Sequence, residues 1–128
     1  MDQTWKYSNR SNPSAPVIPV ELAGMSFDCV VDTGFSGGMV IPLSTFESLG
    51  LLSGLVPEEY LAVMPDSRKV ALYMASEEVT VGSSRVRTLV HAAAPLDRKL
   101  VGRAFLAAFV ATLDGPRETL SVALQSAK

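Results

Sequence analysis

The chain has 128 residues, the size of one domain that buries about two thirds of its unfolded surface around a single core. An apolar share of 48% against 19% charged residues excludes a disordered chain, and a net charge of −2 with scattered Lys and Arg excludes a nucleic-acid-binding face. No apolar run approaches the roughly 20 residues that span a bilayer, so no membrane partner is expected.

Taken in order, residues 1–15 carry the cluster SNRSNPSAP and read as an N-terminal arm, with one domain over residues 16–128. Within the arm, TWKYS has strand character if an edge is available. Trp5 and Tyr7 are unusual for a free tail and suggest docking on a partner subunit. VIPVEL (17–22) and SFDCVVD (26–32) flank the turn AGM around Gly24 and read as a β-hairpin, with Pro19 placing the first strand at an edge or bulge. MVIP after Gly38 is a short strand. STFESLGL predicts one or two helical turns, with Ser44 as N-cap, Glu47 completing a capping box and Gly50 as the stop. EYLAVM, KVALYM, EEVTV and RVRTLVHA suggest two further hairpins, turning at Pro65-Asp66-Ser67 and Gly82-Ser83-Ser84. LVGRAFLAAF has helical spacing from Arg103, and VATLD and TLSVAL form a last strand pair about Gly115-Pro116. The sum is roughly eight strands and two short helices, a mainly β domain.

The stretch FDCVVDTGFSGGMVIP, residues 27–42, sets Asp32 at the end of an apolar strand and follows it with Gly34, Gly37 and Gly38. Glycines permit sharp turns and close backbone approach, and loop amides together with the Thr33 hydroxyl can satisfy a carboxylate placed there. Asp32-Thr33-Gly34, with two apolar β-branched residues before it and Phe35-Ser36-Gly37 after it, resembles the active-site loop of the retropepsin-like aspartic proteases. LVGRAFL, residues 100–106, resembles the apolar-Gly-Arg element with its short helix near the C-terminus of that family. The likeness covers residues 16–125 and rests on strand pattern alone between 51 and 98.

The resemblance implies a closed β-barrel or sandwich with one or two short helices, half of an acid-protease dimer. Peptide hydrolysis by carboxyl groups needs two of them around one water, one ionised and one protonated. This chain has a single Asp-Thr-Gly, and the aspartates at 66, 97 and 114 lack the strand and glycine loop. A homodimer that pairs two Asp32 residues is therefore expected, acting as an aspartic endopeptidase on an extended peptide without a cofactor. By the resemblance, Thr33 hydrogen-bonds across the dimer, Gly34 leaves room for substrate, and Gly102 and Arg103 support the loop. The flap is assigned to the hairpin Met64–Val70, and the strand at 118–125 to the dimer sheet, where the chain ends of the viral enzymes pair.

Several positions depart from the viral pattern. The residue four after the catalytic aspartate is Ser36 rather than an acid, so Arg103 bonds to a loop carbonyl, to another carboxylate or across the dimer, or else is a solvated cation at a helix start; Phe35 replaces a small residue; and the flap turn carries Asp66-Ser67-Arg68 in place of glycine. A catalytically silent peptide-binding or dimerisation module on the same fold is the alternative reading. The single histidine, His91, excludes a His-based metal cluster and suits a strand-end or core position, so no metal is expected. Cys29 reads as a small buried hydrophobe. A lone cysteine and a polar start, MDQTWKYSNR, suggest a reducing, cytoplasmic setting.

Overall fold

The computed structural model describes residues 2–10, 13–51, 60–63, 69–94 and 96–124. Strand β2 (Val17–Leu22) and strand β3 (Met25–Val31) form the expected hairpin, pairing from Val17↔Val30 to Leu22↔Met25. Its two-residue turn has positive φ at both Ala23 (50°) and Gly24 (84°), the requirement of a type I′ turn. Near Pro19, β2 is bonded on one side only, because its second neighbour joins at the single pair Glu21↔Thr80. The missing proline N–H is thereby tolerated.

Beyond the loop at 32–38 come β4 (Met39–Val40) and helix α1 (Leu43–Ser48). The helix differs from the expectation at its start: Pro42 is the N-cap, no side chain caps it, and Ser44 lies inside the first turn. Proline arriving with φ −59° presets the entry, so the hydroxyl is not needed there. Its end is as expected, with Gly50 at φ +76° just after Leu49.

Next come β5 (Tyr60–Val63) and β6 (Lys69–Val81), paired from Tyr60↔Leu72 to Val63↔Lys69. The turn of this hairpin, including most of the assigned flap, lies outside the described residues. KVALYM and EEVTV are not two strands but one of 13 residues, because β7 (Ser84–Ala92) pairs with it continuously from Tyr73↔Ala92 to Val81↔Ser84. The connecting turn is shorter than expected, Gly82-Ser83, with Ser84 already in the strand. Strand β8 (Leu100–Val101) leads into helix α2 (Arg103–Leu106), followed by β9 (Phe109–Asp114) and β10 (Thr119–Leu124).

Six strands, in the order β2-β3-β8-β4-β7-β6, close into a barrel through the β2–β6 pairing, and β5 extends β6 outward. Ile18, Leu22, Met39, Ile41, Val90 and Val101 are fully or almost fully buried in the barrel core, and Phe46 of α1 and Phe105 of α2 join the same core. Phe105 lies 5.6 Å from Phe109, centroid to centroid, linking the end of α2 to β9.

A second sheet contains β1 (Asp2–Lys6), β10 and β9, in that order. The arm thus contributes an edge strand to its own chain, and Trp5 and Tyr7 pack against the core of that chain. Strand β10, expected in the dimer sheet, is bonded on both sides by β1 and β9, so its edges are already used. Its two outer strands, β1 and β9, each leave one edge unpaired among the described residues.

Candidate active site

Strand β3 delivers Asp32. Val30 and Val31 pair in parallel with Leu100 and Val101 of β8, and the Asp32 N–H donates to the Val101 carbonyl at 2.9 Å. The aspartate therefore leaves the barrel at a point fixed by β8. Its Oδ1 accepts the Gly34 N–H at 2.9 Å, and its carbonyl accepts the Phe35 N–H at 3.1 Å, closing a tight turn. The carboxylate is half-buried, while Thr33, Gly34 and Ser36 are exposed around it. A half-buried carboxylate tied to one loop amide keeps acceptor capacity for a ligand.

The other motif comes to the same place. The Phe35 carbonyl accepts the Arg103 N–H at 2.9 Å, the Gly37 carbonyl accepts the Ala104 N–H at 3.0 Å, and the Gly38 carbonyl accepts the Gly102 N–H at 2.8 Å. The N-terminal amides of α2, which have no partners inside the helix, are thus satisfied by the loop, and loop and helix start form one unit. Residues about seventy positions apart in sequence are joined by main-chain hydrogen bonds alone. Gly102 makes the approach possible: a Cβ there would lie 2.5 Å from the Gly37 carbonyl oxygen and 2.5 Å from Cδ2 of Phe35.

Two expectations are refined here. Glycine tolerates positive φ, yet among the described glycines only Gly24, Gly50 and Gly82 adopt it, and none of these is in the loop. Gly37 instead provides close contact within the chain, since a Cβ there would overlap Cζ of Phe35 and lie 3.2 Å from Nε2 of His91. Arg103 engages the loop through its backbone; its side chain is exposed and makes no hydrogen bond or ion pair among the described residues.

His91, placed by sequence at a strand end or in the core, sits beneath this loop. Its ring meets Phe35 at 5.9 Å in an edge-to-face arrangement, and its Nε2 is buried with no hydrogen-bond partner among the described residues. Burial lowers its pKa from the ordinary 6.5. No local pattern in the sequence signals this contact, because it depends on the loop folding back over β7. Cys29 is fully buried in β3, and burial pushes its thiol up to about 12, opposed by Lys99 and aided by Asp28. A thiol so protonated is no nucleophile. Among the described residues no group of three or more His, Cys, Asp or Glu is placed to hold a metal ion, and no helix is long and apolar enough to cross a membrane.

No family model matches the sequence, and no curated protein matches it by sequence. Solved structures do match by shape. A retropepsin-like aspartic protease from Rickettsia conorii is 20% identical, with 95% of this chain and 91% of that one aligned at a TM-score of 0.67. The retroviral protease-like domain of Ddi1 from Leishmania major is 12% identical over 88% and 94% of the two chains, at 0.62. The EIAV protease, solved with the inhibitor HBY-793, is 14% identical over 80% and 92%, at 0.57. The chain has the retropepsin-like fold, mainly β, with a closed six-stranded barrel and two short helices.

Proposed function

We propose that this chain is an aspartic endopeptidase that acts as a homodimer. The observation that carries the proposal is the position of Asp32: half-buried, at the exit of β3, in a loop locked to the start of α2, within a retropepsin-like fold. Two such loops meeting across a two-fold axis bring two Asp32 carboxyls to one water. Like charges a few ångströms apart do not both ionise readily, so the pair holds one proton between them. The ionised member takes a proton from water as it attacks the scissile carbonyl, and the protonated member donates a hydrogen bond to the carbonyl oxygen. No covalent intermediate is needed. Thr33 and Gly34, exposed beside Asp32, face the partner loop and the substrate backbone, while Gly102 and the backbone of Arg103 hold the loop from behind.

An extended peptide binds under the β5–β6 hairpin as an added strand, with affinity from backbone hydrogen bonds and preference from alternating side-chain pockets. The dimer forms through the open edge of β9. A lone buried thiol at Cys29 accords with a reducing, cytoplasmic setting.

The test compares wild type with Asp32→Asn on a peptide library from acid to neutral pH, with and without a statine-type transition-state mimic. Cleavage that the mimic blocks and the variant lacks supports the proposal. Peptide affinity without cleavage, unchanged in Asp32→Asn, supports instead a silent binding module. That second reading draws on the Arg103 guanidinium, which has no acidic partner among the described residues.

A further inference from the structure

Along β7 the side chains alternate. Val86, Thr88 and Val90 face inward and are buried, whereas Arg85, Arg87 and Leu89 face outward and are exposed. His91 belongs to the outward set by parity, yet it is half-buried. The loop accounts for the difference: Phe35 meets the imidazole ring from one side, Gly37 passes over Nε2, and Met74, directly opposite on β6 and buried, closes the flank. A surface position of the barrel has become the floor beneath the candidate active-site loop.

We infer that His91 is a positioning residue: its neutral imidazole supports the arch Phe35–Gly38, and protonation of the ring displaces that arch and with it Asp32. The inference rests on the proposed protease reading only for its consequence, loss of cleavage; the coupling of ring and loop does not.

The physical chain is short. An imidazolium carries two N–H donors and a charge, and the buried Nε2 finds no acceptor among the described residues. The groups around it give no compensation. On β6 and β7 the charges sharing its face are Glu78, Arg87 and Arg85, with Glu78 paired to Arg85 at 3.7 Å farther along the strands. β4 supplies only Met39 and Val40; the loop supplies Asp32; α2 supplies Arg103, a like charge. Desolvation alone sets the direction of the shift at His91, with no carboxylate favouring its charged form. The protonated ring therefore moves toward water, and the groups covering it are Phe35 and Gly37. Phe35 is bonded to Asp32 through its N–H and to Arg103 through its carbonyl, and Gly37 is bonded to Ala104, so displacement of the arch strains the bonds that fix the carboxylate.

The experiment is an NMR titration of the full chain from about pH 8 to the carboxylate range near pH 4, following the His91 ring and the amides of Gly34 and Gly37. The expected result is one shared midpoint below 6.5 for ring and amides. It persists in Asp32→Asn, which separates it from titration of the aspartates. In His91→Phe, which keeps the ring contact but cannot be protonated, the amides lose that transition. A residue that merely filled space would show no shared midpoint. The inference is overturned by a ring that titrates at 6.5 or above or stays neutral to about pH 4, by amides that stay still while the ring titrates, or by an unchanged amide transition in His91→Phe. Should that variant not fold, His91→Gln takes its place, and the wild-type comparison of ring and amides decides by itself. Where cleavage is measurable, its kcat profile shows a decline at the same midpoint, which His91→Phe lacks while the dyad's own acid limb stays. If Asp32→Asn shows that there is no cleavage to lose, the NMR result still stands or falls alone.

Discussion

A methyl group added at Gly102 meets two carbonyl oxygens and a ring of the loop it supports, and neither oxygen can yield without breaking a hydrogen bond to α2. The backbone there, at φ −112° and ψ −169°, is one that alanine adopts freely, so the penalty is spatial rather than conformational. Gly102→Ala is expected to lower unfolding free energy by about 1–3 kcal/mol, as overpacking does, and to reduce peptide cleavage by more than that loss explains. Urea denaturation alongside the peptide assay separates the two effects. Arg103 gives the opposite expectation. Its contribution in the described chain is a backbone N–H, which Ala retains, so Arg103→Ala leaves unfolding free energy within about 0.5 kcal/mol of wild type. A larger loss in dilute protein would show that the guanidinium has a partner within the chain. At Ala23 the strain is conformational: φ is +50° in a turn that favours asparagine or glycine, and Ala23→Asn is expected to raise stability by about 0.5–1 kcal/mol in the same denaturation experiment.

At the scale of elements, the legible parts were those whose signal is local. Asp32-Thr33-Gly34 after an apolar strand and Gly102-Arg103 before a helical spacing were readable because glycine and aspartate carry strong backbone meaning, and the β2–β3 hairpin announced itself through Gly24. What escaped depends on partners distant in sequence. KVALYM and EEVTV read as separate segments, but continuous pairing with β7 overrides the weak local signal. Ser44 has the chemistry of an N-cap, and Pro42 takes the position. The contact between His91 and Phe35 exists only once a loop has folded over a strand. Strand β10 was assigned to the dimer because it is apolar and terminal; its neighbours β1 and β9 use both of its edges. Of the two outer strands of that sheet, β1 and β9, β9 carries Val110 at 56% exposure and Leu113 at 49%, on opposite faces, with no charge until Asp114. Natural edge strands are normally protected by charge, proline or a bulge, and this one has none over five residues. Val110→Lys with Leu113→Lys is therefore expected to leave the monomer folded, because both side chains are exposed in it, and to weaken self-association by about tenfold or more. Sedimentation velocity across a concentration series reads this directly, and unchanged association would remove β9 from the interface.

For the molecule as a whole, two groups of opposite kind, the half-buried His91 and the fully buried Cys29, set a pH window for stability. His91 has a folded pKa below its ordinary 6.5, so above 6.5 both folded and unfolded chains are neutral there and its contribution is complete. Below 6.5 the unfolded chain takes the proton first, and stability declines as pH falls toward the folded pKa. Cys29 works in the other direction. Its thiol is pushed up to about 12 from 9.0, so below 9.0 the contribution is complete, and above it the unfolded chain releases a proton that the fold retains. Stability then declines as pH rises, by up to about 1.4 kcal/mol per pH unit for one proton. Unfolding free energy should accordingly be flat between 6.5 and 9.0 as far as these two groups govern it, and fall on either side. Cys29→Ala leaves a small cavity and lowers the whole curve, but it should flatten the decline just above 9.0, before the lysines and tyrosines titrate, and leave the acid side unchanged. Urea titrations at closely spaced pH values for the two proteins measure both arms, with protein concentration held fixed because a dimer makes apparent stability depend on it. An alkaline decline that survives intact in Cys29→Ala would show that the thiol is not buried as the fold requires, and would call into question the packing of β3 that delivers Asp32.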